Sequence, residues 1–129
     1  MNPDFENMLV ANYPAIYRSL EPRYSGACRF ECDDGWYRII DELSGKLEAE
    51  ARISDQHVVS VKETLGSLRV SLRGSVADRV RDWIATAEAL SRNTCERSSQ
   101  AAMLRRHKDG HGIRTLCPTC AATMDYVVE

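Results

Sequence analysis

HVVSVKETLGSLRVSL, residues 57–72, decides the fold class. Val59 and Val61 alternate with Ser60 and Lys62, and Leu68, Val70 and Leu72 alternate with Arg69 and Ser71. This period of two belongs to half-buried strands. The connection Thr64-Leu65-Gly66-Ser67 supplies a glycine that takes positive φ at little cost, so the strands are expected to meet as an antiparallel hairpin.

On both sides of this hairpin the apolar period rises to near four. After Gly74, the residues Val76, Val80, Trp83, Ile84, Ala87 and Leu90 share one helical face, with Ser75 and Asp78 in capping-box spacing. Upstream, Trp36, Ile39, Ile40, Leu43 and Leu47 form another face, which Asp33 or Asp34 can cap and Gly45 weakens. At the start, Phe5, Met8, Leu9, Tyr13, Ile16, Tyr17 and Leu20 recur at helical spacing, but Pro14 divides them. A short helix from about Asp4, a break near Asn12 and a further turn or two from Pro14 are expected. Residues 21–31 read as a loop around Pro22 and Gly26. The predicted architecture is α+β, with helices packed on a short antiparallel hairpin. Residues 1–129 form a single domain, in which 1–93 are a helical and hairpin body and 94–129 a cysteine-bearing tail.

Composition suits one globular unit: 129 residues, 43% hydrophobic and 28% charged. No run approaches the roughly 18 apolar residues of a membrane span. The N-terminus carries acids before any base, unlike a signal peptide, so a soluble, cytoplasmic protein is expected. Residues 1–68 carry a balance of -5, residues 69–114 carry +5 and the last fifteen -2. Two readings follow: a basic segment that meets nucleic acid or an acidic protein, or halves that neutralise one another within the fold, which is the simpler.

Five cysteines are too few and too odd in number for a secreted disulfide framework, so metal binding or burial is the better expectation. In TCERSSQAAMLRRHKDGHGIRTLCPTC, residues 94–120, Cys95 is followed at some distance by the C-x-x-C of Cys117 and Cys120. Tetrahedral zinc takes four ligands, and where a two-knuckle site needs its fourth cysteine the chain has Ser98. His107 and His111 are poor substitutes, because a hairpin pairing residues 101–105 with 112–116 puts them about five residues, roughly 16 Å, from the cysteine end. Two arrangements remain: zinc on three cysteines with water or an outside ligand, or a fold that persists without metal. A redox role is disfavoured because no βαβ setting surrounds the C-x-x-C. Cys28 and Cys32 read as small buried hydrophobes.

Four blocks recur in a known combination: FECDDGWYRIIDELSGKLE at 30–48, VKETLGSLRVSL at 61–72, AEALSRNTCE at 87–96 and RTLCPTC at 114–120. The chain resembles small uncharacterised proteins encoded by phages and prophages. These show E-C-x-D-G-W opening a helix, a V-K-E-x-x-G-x-L-R hairpin, and a helix running into T-C-E-x-C with a later T-L-C-x-x-C or T-L-C-x-x-H. Ser98 departs from that pattern. The resemblance implies a phage accessory protein that binds a host protein or ribonucleoprotein, such as an inhibitor of a bacterial defence system, an anti-CRISPR among them. The order of knuckle, hairpin, knuckle and short helix also looks like a treble clef or zinc ribbon, scaffolds that nucleases and binding modules share.

Local motifs do not announce catalysis. The chain has no G-x-S-x-G, H-E-x-x-H, P-loop or G-x-G-x-x-G pattern, and the Asp-His and Asn expected of His-Asn-His nucleases are missing. A non-enzymatic protein without a small-molecule substrate is expected. Arg105, Arg106, Lys108 and Arg114 cluster around the tip HKDGHG as candidate binding residues for phosphates or an acidic host protein. The alternative function is a zinc-dependent nucleic-acid-binding or regulatory module using this 105–114 loop. The plainer reading is a solvated loop, and Trp36 and Trp83 read as core anchors.

Overall fold

The computed structural model describes residues 1–128. Helix α1, Pro3–Asn12, starts where the Asn2 side chain accepts from the Asp4 N–H, with Pro3 in the first turn. Pro14 ends it, and the next residues form turns rather than a second helix. The short strand β1, Phe30–Glu31, leads through a 3₁₀ turn, Asp34–Trp36, into α2, Tyr37–Ala51. Ile40, Leu43, Ser44, Leu47, Glu48 and Ala51 of α2 are buried, the spacing of one inward stripe. Neither Asp33 nor Asp34 caps this helix as expected, because the 3₁₀ turn comes between and Asp33 makes no side-chain cap bond.

Strands β2, His57–Thr64, and β3, Ser67–Arg73, form the predicted hairpin, with Thr64 opposite Ser67. Its two-residue turn puts Leu65 at φ 50° and Gly66 at φ 82°, the backbone sign of a type I′ turn. A register shift between Val58 and Ser60 moves the inward phase, so Val58 and Val61 are buried in place of the alternating Val59 and Val61. β1 lies parallel to β2, pairing Phe30 with Val61 and Glu31 with Lys62, and completes a sheet of order β1-β2-β3.

Helix α3 spans Asp78–Ser91. It begins after an extended Ala77 with no side-chain cap, so the Ser75 capping box does not form. Val80 and Ala87 are buried, Trp83 is half-buried and Leu90 is exposed. The helix therefore turns its valine and alanine inward and Trp83 to the rim. The main core gathers Trp36, Phe30, Leu9, Ile16, Ile40, Leu47, Val58, Val61, Leu68 and Val80.

The tail comprises β4, Met103–His107, β5, Ile113–Leu116, α4, Pro118–Met124, and β6, Tyr126–Val127, in a sheet of order β5-β4-β6. Its hairpin pairs 103–106 with 113–116, two residues later on the first strand than expected. A second small core holds Cys95, Leu116, Cys117 and Ala121. The protein is thus α+β, with four helices and two three-stranded sheets among the described residues. No helix among them is long and apolar enough to cross a membrane.

Candidate metal centre

Cys95 lies four residues beyond α3, whereas Cys117 sits at the extended N-cap of α4 and Cys120 in its first turn. The tail hairpin closes the gap between them, and the three Sγ atoms all lie within 4.8 Å of one another. Each half of the cluster is built alike. The Ser98 N–H donates to Cys95 Sγ at 3.3 Å, and the Cys120 N–H donates to Cys117 Sγ at 3.4 Å. Ser98 thus occupies in the first half the place of Cys120 in the second, and its hydroxyl donates to Cys117 Sγ at 3.2 Å. The Ser98 hydroxyl, followed by the Cys120 N–H, pulls the Cys117 thiol down to about 6. Burial pushes Cys120 the other way. Three close cysteines with polarised sulfurs can hold a metal ion, and none of the five cysteines forms a disulfide.

The histidines stay outside the cluster, as their place on the hairpin requires. His107 packs edge-on against Tyr126, with ring centroids 5.2 Å apart, and His111 is exposed in the turn. Cys32 is buried but Cys28 is exposed, so the packing role expected of both holds for Cys32 alone.

The first knuckle is clamped to the body. Gly35 N–H donates to the Glu96 carbonyl at 2.6 Å, the Trp36 indole to the Thr94 carbonyl at 2.9 Å, and the Ser99 hydroxyl to the Gly35 carbonyl at 2.7 Å. Gly35 is required by contact, since a Cβ there would lie 2.2 Å from the Cys95 carbonyl oxygen. Beside it, the buried Glu96 accepts from the Asp33 N–H at 3.0 Å and from Arg114 at 2.9 and 3.1 Å. Arg114 also reaches Asp33 at 2.5 Å. Burial pushes the Glu96 carboxyl above its ordinary range despite Arg114. For Arg114 burial opposes the charge, yet Glu96 and Asp33 outweigh it and raise its pKa. Arg114 therefore faces the body instead of the basic tip to which the sequence assigned it.

The remaining basic candidates separate as well. Arg105 and Arg106 stand on β4, not on the loop, and Arg105 Nε donates to the Leu116 carbonyl at 2.9 Å. Lys108 lies in the turn, 3.7 Å from Asp125. Leu104, Arg105, Arg106, Ile113 and Val128 line an open groove of about 200 Å³. Leu104 is 54% exposed and Val128 52%. Sequence periodicity did not mark Glu96, Gly35 or the groove, although Glu96 and Gly35 both lie inside the quoted blocks. No protein-family model matches this chain, nor does any curated protein or any solved structure.

Proposed function

We propose that the chain is a non-enzymatic phage or prophage accessory protein that binds a host protein or ribonucleoprotein in the bacterial cytoplasm, acting against a defence system such as CRISPR. Its binding element is the tail, a treble-clef-like unit held by zinc on Cys95, Cys117 and Cys120. The phage origin rests on the resemblance of the sequence blocks. Zinc suits the cluster because thiolates about 2.3 Å from a tetrahedral ion stand about 3.8 Å apart, compatible with sulfurs within 4.8 Å.

The observation that carries the binding role is the groove on the tail hairpin, where exposed Leu104 and Val128 lie beside Arg105 and Arg106. Leu65, 74% exposed, occupies the neighbouring turn at φ 50°, and Gly66 faces Leu104 across it. Leu65, exposed at a backbone cost beside the exposed Leu104 and Val128, fits a surface that a partner covers. The adjoining arginines suit a partner with acidic residues around an apolar patch.

The test is capture from bacterial lysate on the full chain. A partner should be retained in fixed stoichiometry, and Val128→Asp should release it with an unchanged melting temperature. Equal retention by Val128→Asp would sink the groove, and an effect at substoichiometric amounts would indicate an enzyme. Nucleic-acid binding that falls steeply with salt, and less steeply after Arg105, Arg106 and Lys108 are changed to alanine, would favour the regulatory-module alternative.

A further inference from the structure

We propose that the cysteine cluster holds its metal as a three-thiolate centre whose fourth coordination position, beside Ser98, opens to solvent and takes the thiolate of a small exogenous thiol. This rests on the metal-holding role of Cys95, Cys117 and Cys120 given above. Burial is graded across the cluster: Cys95 and Cys117 are buried, Cys120 is half-buried and Ser98 is exposed. The closed side is therefore the protein interior, and the open side is the Ser98 corner.

The matching halves of the cluster locate that corner. Cys95 and Cys117 each receive the N–H of the residue three positions on, so the side chains of Ser98 and Cys120 occupy equivalent places. A serine hydroxyl keeps its proton at neutral pH and is a poor ligand. Here it donates to Cys117 Sγ. Among the described residues no fourth donor, histidine included, joins the three thiols of the cluster. Soft thiolates favour a metal that accepts another soft ligand, and the N–H and hydroxyl donors partly offset the added negative charge. The incoming thiol gives its proton to solvent and replaces a metal-bound water, so no protein bond breaks and no electron moves.

The full chain loaded with cobalt(II) alone tests this, because cobalt reports thiolate number in its sulfur-to-metal absorption. Titration with 2-mercaptoethanol should raise that band saturably, by about 1.3-fold, the ratio of four thiolates to three. Ser98→Ala should respond in the same way, because the hydroxyl is not a ligand. Ser98→Cys should begin at the higher intensity and not respond. A wild-type spectrum unmoved by the thiol, or cobalt stripped by it, overturns the open position while the metal site stands. Failure to bind cobalt at all removes the metal site and this inference with it.

Discussion

The Trp36 indole N–H meets the Thr94 carbonyl oxygen at 2.9 Å, across 58 residues of chain. One side chain thus fills the body core and holds the strand of backbone that carries Cys95.

Trp36→Ala should therefore cost about 3 to 5 kcal/mol, since a fully buried aromatic leaves a cavity. Trp83→Ala should cost less than half of that, because Trp83 lies at the rim. Urea melts of the two variants check the order, and equal losses would contradict the core assignment.

Gly35→Ala should destabilise by about 3 kcal/mol, the upper part of the range for overpacking. The added Cβ meets backbone, the Cys95 and Glu96 carbonyls, so no side-chain rotation relieves it. Amide exchange in residues 94–100 should quicken most.

Arg114→Ala leaves the Glu96 carboxylate buried beside Asp33 without its guanidinium, at an expected cost of about 3 kcal/mol. Because the folded Glu96 pKa is raised, its contribution to stability is full below the ordinary carboxyl pKa and is lost as pH rises through the raised value. The variant should thus lose more stability at pH 7 than at pH 5. Glu96→Gln should flatten that dependence, which melts at several pH values will reveal.

Protein purified without chelator should contain about one equivalent of zinc, and chelation should lower its melting temperature. Cys117→Ser should reduce both metal content and stability. Metal analysis showing undiminished zinc in that variant would remove Cys117 from the ligand set.

Leu65→Asn should raise stability by about 1 kcal/mol, since asparagine tolerates the positive φ that leucine resists. If the proposed binding role holds, the same change should weaken retention of a partner captured from lysate. Gains in both stability and capture would detach Leu65 from the binding surface.

The elements with strong periodicity were legible before the fold was known: the α2 stripe of Ile40, Leu43 and Leu47, and the hairpin around Gly66. So was the meeting of Cys95 with the C-x-x-C, because the intervening hairpin returns the chain to its start. The pairing of Phe30 with Val61 was not, since two residues carry no period. Val59 misled because the bulge beside it shifts the phase, and Trp83 because an apolar face records a direction without recording depth. Arg114 was grouped with the basic tip by proximity in sequence, whereas its partners Asp33 and Glu96 lie 81 and 18 residues away.

The unequal sizes of the two cores make the stability of the molecule uneven. The tail buries only Cys95, Leu116, Cys117 and Ala121 as its own apolar centre, too little to offset the entropy of ordering those strands alone. Its knuckle takes hydrogen bonds from Gly35, Trp36 and Asp33 of the body. The tail is therefore expected to open more readily than the body, and its amides to exchange sooner than those of α2 and β2.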